Sequence, residues 1–259
     1  GYLADRLRKE NDVQLYEMTR NSNWNNYKKE DTYDVLIYSA AITSGRNEAV
    51  SKYVQDNVMT AVSVIKFCEE HGVKRIIYLS TDEIYGELNT EIVSEKAIMI
   101  NPNLYASTKY LAEKIIASSQ IPYYVLRLPG IVGKKWGKSF LYGLMDRIKR
   151  GESIELYNMS KDFNNIVHID DLVDFILVLC KRIESFASEI FLLGNTEKMK
   201  LEEIVLYIKD IYQSTSQIKD IDEQKKRYFI LDVSNAIKYG YSSKKIKNII
   251  DELYQIQKD

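Results

Sequence analysis

Short apolar runs, rich in β-branched side chains, alternate with stretches of helical spacing through the first half of the chain. Such runs are typical of buried parallel strands, and they cover residues 13–17, 33–39, 75–80 and 123–128. Between them, apolar residues three and four positions apart predict helices over 47–71 and 105–118. This alternation predicts an α/β fold with a doubly wound parallel sheet.

After Gly133 the pattern is less regular. Helical spacing predicts helices over residues 140–150, 170–183, 201–212 and 242–257, and apolar runs predict short strands at 154–157 and 189–193. Ser242 and Ser243 are predicted to cap the last helix. We expect residues 1–130 and 163–195 to form the domain that holds the sheet. Residues 131–162 and 196–259 would form a small C-terminal substrate lobe over the strand ends, where α/β sheets bind ligands.

The chain opens with Gly1-Tyr2-Leu3-Ala4, which resembles the back half of a glycine-rich phosphate turn entering its helix. The first strand and the start of that glycine loop are missing from the sequence. In a doubly wound sheet that strand is central, and its loss would leave neighbouring backbone groups unpaired in the core. We therefore expect the natural chain to have about ten more residues before Gly1. The alternative is that Gly1 is only a terminal residue.

Composition narrows the function classes. The 259 residues include 36 Lys and Arg, 37 Asp and Glu and two His, for a net charge of −1. This balance disfavours a basic nucleic-acid binder or a polybasic membrane binder. Cys68 and Cys180 are too few for a disulfide framework, and no metal site is predicted. No uncharged apolar run approaches the ~18 residues of a membrane span, so a cytoplasmic protein is expected.

The candidate chemistry begins with Tyr-x-x-x-Lys pairs, which place a phenol and an ammonium one turn apart on one helix face. The ammonium favours the phenolate, so the tyrosine can act as a base near neutral pH. The pattern occurs four times, at Tyr105/Lys109, Tyr110/Lys114, Tyr157/Lys161 and Tyr241/Lys245. The sequence before each pair helps to choose among them, and the predicted strand at 75–80 favours Tyr105/Lys109.

The predicted strand at 75–80 runs into Thr81-Asp82-Glu83, upstream of Tyr105. Strand ends are where α/β enzymes place reactive groups. The Thr81 hydroxyl can bind a substrate oxygen, and Asp82 and Glu83 are a candidate acid and base. This context favours the Tyr105/Lys109 pair, although a polar turn leaving a strand would have a similar sequence.

Glu17 stands at the end of the predicted strand at 13–17. An acid there can accept hydrogen bonds from ribose hydroxyls and repel a 2′-phosphate, which favours NAD. Arg20 could bind the phosphate of NADP instead. A plain surface charge at a strand end is the other interpretation of Glu17.

These residues and several further segments, in this order, resemble the extended short-chain dehydrogenase/reductase family, which includes NAD-dependent sugar epimerases and dehydratases. The matching segments are Gly1 to Ala4, 34–41, Asn57-Val58, 80–86, 102–109, 126–133 and 166–171. The resemblance implies a Rossmann-type fold, NAD as cofactor with NADP open, a sugar-nucleotide substrate in polysaccharide biosynthesis, and a homodimer.

The resemblance also implies roles for individual residues. Tyr105 would be the general acid/base on a sugar hydroxyl, Lys109 would hold the nicotinamide ribose, and Thr81 would hydrogen-bond the same sugar oxygen. Asp82 and Glu83 match the catalytic acid and base of sugar-nucleotide 4,6-dehydratases. Cofactor contacts are implied for Gly1, Tyr2, Leu3, Glu17, Arg20, Ser39, Ala40, Ala41, Asn57, Tyr105, Lys109 and Pro129. Substrate contacts are implied for Thr81, Gly130 and Asn164.

Two departures from the family pattern bear on the substrate. Gly130 stands where many of these enzymes have an Asn, and Asn164 stands where many have an Arg that binds the nucleotide phosphates. Lys161, Lys134, Lys135 and Lys138 could replace the lost charge. The alternatives are therefore an NAD(P)H-dependent ketoreductase of a sugar or other small carbonyl compound, and a non-catalytic binding protein on the same fold.

Overall fold

The computed structural model describes residues 2–10, 13–18, 27, 32–43, 48–134, 139–182, 187–221 and 228–258. The helices are α1 (Tyr2–Leu7), α2 (Val50–Tyr53), α3 (Thr60–Glu70), α4 (Leu104–Ala117), α5 (Phe140–Lys149), α6 (Ile169–Cys180), α7 (Leu201–Tyr212), α8 (Ser234–Lys238) and α9 (Ile246–Lys258). The strands are β1 (Val35–Tyr38), β2 (Arg75–Thr81), β3 (Ile92–Val93), β4 (Tyr123–Leu128), β5 (Gly130–Val132), β6 (Ile154–Leu156), β7 (Asp162–Phe163), β8 (Ile166–His168), β9 (Glu189–Leu192), β10 (Met199–Lys200), β11 (Ile218–Asp220) and β12 (Ile230–Leu231).

The chain forms two compact units. Unit 1 comprises Gly1–Leu88, Glu95–Leu128 and Ile176–Leu192, and unit 2 comprises Asn89–Ser94, Pro129–Phe175 and Leu193–Asp259. The domain boundaries expected from the sequence remain a prediction, and these units differ from them mainly in assigning residues 163–175 to unit 2.

A four-stranded sheet with the order β1-β2-β4-β9 organises unit 1, and all its strand pairs are parallel. The predicted α/β fold with a parallel sheet is thereby confirmed. The β2 and β4 strands are almost wholly buried, as expected for strands covered on both faces. Because parallel strands end at the same edge, Tyr38 and Thr81 lie toward the same side of the sheet.

The long helix predicted over 47–71 is present, with one irregularity. Between α2 and α3 the six residues Val54–Met59 form a π-helical segment. Ala61, Val64, Phe67 and Cys68 of α3 then pack in the unit 1 core with residues of β2 and α4.

Two local predictions are wrong. Residues 13–18 are described, and none of them lies in a strand. A strand needs hydrogen-bonded neighbours, and within the described residues β1 pairs only with β2. Ser242 and Ser243 do not cap α9, because the Glu197 carboxylate accepts the Ile246 N–H there at 2.9 Å.

Unit 2 has its own core, in which α5, α7 and α9 contribute Leu144, Ile204, Ile250 and Leu253 among other buried side chains. Four two-stranded ladders, β10-β7, β11-β6, β12-β3 and β5-β8, complete this unit. Among the described helices, none has both the length and the apolar character needed to cross a bilayer.

Candidate active site

The triplet Thr81-Asp82-Glu83 lies where β2 ends and a 3₁₀ turn, Asp82–Tyr85, begins. Thr81 caps this turn, and its Oγ1 accepts the Glu83 N–H at 3.2 Å. The Thr81 side chain is buried, whereas Asp82 and Glu83 are half-buried. The turn therefore presents two carboxylates and one hydroxyl at the carboxyl end of a central strand.

Asn103 joins this turn to helix α4, which carries Tyr105 and Lys109. Its Oδ1 accepts the Ala106 N–H at 2.9 Å and so caps the helix. Its Nδ2 donates to Glu83 Oε2, also at 2.9 Å. The sequence analysis missed Asn103, although Pro-Asn directly before a helical stretch is a recognisable start signal.

The Tyr105 phenol is half-buried and close to the triplet. The pKa of Tyr105 is raised to about 12. Burial is the largest cause, and the Glu83 and Asp82 carboxylates also raise this pKa, whereas a hydrogen bond with the Thr81 side chain lowers it. The structure therefore brings Thr81, Asp82, Glu83 and Tyr105 together in unit 1.

Lys109 lies one turn after Tyr105 and is only 2% exposed. Its Nζ donates to the Leu79 carbonyl at 2.6 Å and lies 4.3 Å from the centre of the Tyr78 ring. Burial lowers the pKa of Lys109 to about 7, against an opposing effect of Glu113.

The expectation that the Lys109 ammonium favours the Tyr105 phenolate is wrong for this structure. The pKa of Tyr105 is raised, because burial and the two neighbouring carboxylates all favour the neutral phenol. The Lys109 amino group is bonded to Leu79 instead.

Behind the site lies a buried ion pair between Glu113 of α4 and Arg127 of β4. Arg127 Nη2 is 2.8 Å from Glu113 Oε2, and Arg127 Nε donates to Glu113 Oε1 at 3.2 Å. Ser80 Oγ also donates to Glu113 Oε1, and Arg127 Nη1 donates to the Tyr85 hydroxyl. Sequence reasoning missed all four residues, although a charge inside a buried apolar strand indicates a buried partner.

The residues predicted to contact the cofactor lie in several places. Ser39, Ala40 and Ala41 follow the carboxyl end of β1, and Tyr2 and Leu3 lie in α1. Small side chains after a parallel strand suit the close approach of a dinucleotide, and the buried Lys109 offers a donor for ribose hydroxyls. The unit 1 residues therefore fit NAD, while Gly1 lies outside the described residues.

Asn57, one of the predicted cofactor contacts, is bonded to the protein's own backbone and side chains. Its side chain is fully buried in the π-helical segment. Its Oδ1 accepts the Ile42 N–H at 2.8 Å, and its Nδ2 donates to Ile42 O and to Thr108 Oγ1. Asn57 therefore positions the segment after Ala41, and its cofactor contact stays a prediction.

Of Glu17 and Arg20, the two residues expected to distinguish NAD from NADP, only Glu17 lies within the described residues. Glu17 is exposed, and its carboxylate is ion-paired with the Arg8 guanidinium. Arg20 lies outside the described residues.

Pro129, Gly130 and Asn164 belong to unit 2. Asn164 is 1% exposed, and its Nδ2 donates to Asn195 O and Leu231 O. Its Oδ1 accepts the Leu231 N–H at 2.9 Å. Both N–H groups of the Asn164 amide are therefore used within unit 2, and its substrate contact stays a prediction.

Unit 2 also contains a cleft of about 360 Å³ that the sequence analysis did not predict. Five of its lining residues are aromatic: Phe140, Tyr157, Phe163, Tyr228 and Phe229. Lys161 adds a positive charge, 5.2 Å from the Tyr228 ring centre and 3.3 Å from the Glu91 carboxylate. The cleft thus combines flat apolar surfaces with one cationic and one anionic side chain, Lys161 and Asp162.

The family model described as "NAD dependent epimerase/dehydratase family" matches residues 3–194. A dTDP-D-glucose 4,6-dehydratase of Dictyostelium discoideum is 24% identical over 177 residues, covering 61% of this chain and 41% of that protein. A UDP-glucose 4-epimerase of Corynebacterium glutamicum is 22% identical over 221 residues, covering 77% of this chain and 67% of that protein. The chain spans between 41% and 58% of the length of four of the curated relatives that it matches.

Among solved structures, a UDP-glucuronic acid 4-epimerase from Bacillus cereus in complex with NAD has a TM-score of 0.77 at 19% identity. The alignment covers 97% of this chain and 84% of that one. This likeness shows the fold. With a family match that extends from α1 to the end of the unit 1 sheet, the chain belongs to the NAD dependent epimerase/dehydratase family.

Proposed function

We propose that this protein is an NAD-dependent enzyme that modifies a nucleotide-activated sugar, with Tyr105 as its general acid/base. The observation that carries the proposal is the cluster in unit 1. There Tyr105 of α4 lies beside Thr81, Asp82 and Glu83 at the end of β2. The buried Lys109 follows Tyr105 one turn later on the same helix.

NAD, when bound, accepts a hydride from a sugar carbon and, in an epimerase or dehydratase, returns it. The residues of this chain handle the proton. Tyr105, as the neutral phenol that its raised pKa favours, donates its proton to the sugar oxygen when the carbonyl is reduced, and only its phenolate form takes that proton back. Thr81 hydrogen-bonds the same oxygen. The Thr81 hydroxyl suits this role, since its Oγ1 accepts the Glu83 N–H and its side chain also hydrogen-bonds Tyr105.

Asp82 and Glu83 favour dehydratase chemistry within this proposal. Both carboxylates act on the pKa of Tyr105, which supports their facing the same reacting centre. Asp82 would protonate the departing hydroxyl, and Glu83, oriented by Asn103, would remove the neighbouring carbon-bound proton.

The unit 2 cleft supports a nucleotide as the carrier of the sugar. A planar base can stack on its aromatic side chains. Lys161 can pair with a phosphate and so replace the Arg that many of these enzymes have where this chain has the buried Asn164. Two relatives are named for dTDP- and UDP-sugars, the dTDP-D-glucose 4,6-dehydratase and the UDP-glucose 4-epimerase. Saturable binding of UDP, weakened in Lys161→Met, is expected; no saturable binding would contradict a UDP-sugar substrate.

The first experiment is a titration of the purified protein with NADH and NADPH, followed by reduced-nicotinamide fluorescence and thermal shift. Tight binding of NADH alone is expected from Glu17, and preference for NADPH would favour Arg20 instead. If neither cofactor binds, the role given to Tyr105 is withdrawn for this chain.

The second experiment is Tyr105→Phe, with Tyr110→Phe on the same helix as its matched control. Removing the acid/base lowers turnover by roughly 10²–10⁴-fold and leaves NADH binding unchanged. Tyr110→Phe retains activity. Unchanged turnover in Tyr105→Phe would refute the assignment.

A ketoreductase is the second candidate function, and the internal bonding of Asn164 favours it because a small carbonyl substrate has no diphosphate to bind. The two are separated by stoichiometry. A reductase consumes one NADH per product, whereas an epimerase or dehydratase shows no net consumption.

A further inference from the structure

The triplet Thr81-Asp82-Glu83 is held at both ends by one buried ion pair. Ser80, directly before the triplet, donates from Oγ to Glu113 Oε1 at 2.5 Å. Tyr85, at the end of the 3₁₀ turn, accepts at its hydroxyl from Arg127 Nη1 at 2.9 Å.

The ion pair is hydrogen-bonded on both sides. Both oxygens of Glu113 are bonded to Arg127, and Arg127 Nη1 also donates to the Glu95 carbonyl at 2.9 Å. The residues Glu113 and Arg127 are 3% and 2% exposed. A buried pair with these hydrogen bonds keeps one geometry, because rotation would leave a charge without partners.

Glu113 also lies on α4, one turn after Lys109 and two turns after Tyr105. At the other end of this helix, Asn103 bonds Glu83. The turn that holds Thr81 and the helix that holds Tyr105 are therefore joined at two separate points.

We propose that Glu113, Arg127, Ser80 and Tyr85 form a clamp of positioning residues that sets the distance between the Thr81 hydroxyl and the Tyr105 phenol. They act through the Ser80–Tyr85 segment and touch neither substrate nor cofactor. The catalytic consequence rests on the proposed function, whereas the positioning of Tyr105 can be tested without it.

Removing the charge of Glu113 or Arg127 could unfold the protein, so the test uses single hydroxyl deletions. Ser80→Ala and Tyr85→Phe release the two ends of the segment separately. Ser119→Ala and Tyr124→Phe are matched controls, since they delete a hydroxyl from unit 1 outside the clamp.

The first readout is independent of activity. A difluorotyrosine is incorporated in place of Tyr105, and its fluorine NMR signal is recorded in each variant. One narrow signal is expected in the parent and in both controls, and a broadened or split signal in Ser80→Ala and Tyr85→Phe. An unchanged signal in both clamp variants would overturn the proposal, whatever the turnover.

The second readout uses turnover of UDP-glucose or UDP-glucuronic acid. We expect kcat to fall about tenfold in each clamp variant, which corresponds to about 1.4 kcal/mol in the barrier, with KM and NADH affinity within twofold. Equal losses in the controls would indicate a merely structural role and overturn the proposal. If the parent turns over neither compound, the proposed function fails for these substrates, while the NMR result still decides the clamp.

Discussion

Lys109 gives a prediction whose magnitude follows from its burial. The pKa of its amino group falls from 10.5 to about 7 in the folded protein. Between these values the unfolded chain holds one proton that the folded chain lacks, so the free energy of unfolding rises with pH. The slope for one such group approaches about 1.4 kcal/mol per pH unit.

The perturbation is Lys109→Met, which removes the titrating group and keeps most of the apolar stem. Urea unfolding is measured for the parent and the variant between about pH 7.5 and about pH 9.5. The stability of the parent relative to the variant should increase by roughly 2.5 kcal/mol over this window. Lys114→Met, an exposed position on the same helix, should show no such increase.

A difference that does not change with pH would refute this reasoning. It would mean that Lys109 stays protonated in the folded protein. The hydrogen bond to Leu79 and the face of the Tyr78 ring would then outweigh the cost of burial.

Two further predictions concern backbone geometry and association. Gly86 has a φ of 62°, and a Cβ there would lie 1.9 Å from the Ile100 carbonyl oxygen, so Gly86→Ala should cost about 3 kcal/mol or more of stability. Gly72→Ala, at a φ of 60° with open space around it, should cost only about 1 kcal/mol; equal losses in urea unfolding would contradict the steric argument. Val54 and Val62 expose apolar side chains on the long helix, and we expect this surface to pair with a second copy. Light scattering should give twice the mass of 30.2 kDa for the parent and a monomer for Val62→Lys, and a monomeric parent would contradict the prediction.

The four strands of the sheet could be predicted because each is a short, mainly apolar run, although Arg127 interrupts the run in β4. The Tyr105 helix could be predicted for a similar reason, from its periodic apolar positions after Pro102. Residues 13–17 have the same kind of pattern, and yet they form no strand. A strand also depends on a partner, and its own sequence does not show one.

The clamp and the state of Lys109 could not be predicted, because they depend on contacts between distant parts of the chain. Ser80 and Glu113 are 33 positions apart, and Asn164 and Leu231 are 67 apart. The sequence shows which polar residues need partners, such as Arg127 in a buried strand. It does not show which partner each one finds, and that choice decides whether an Asn such as Asn164 binds a ligand or supports the backbone.

The π-helical segment at Val54–Met59 makes the length of this helix as important as its composition. Each residue of an α-helix turns the following part by about 100°. Removing one residue from α3 would therefore rotate Phe67 out of the core. Removing one residue from Val54–Met59 would instead let that segment return to α-helical winding, since a π-helical turn already holds an extra residue. A deletion within Val54–Met59 should consequently cost less stability than a deletion within Thr60–Glu70.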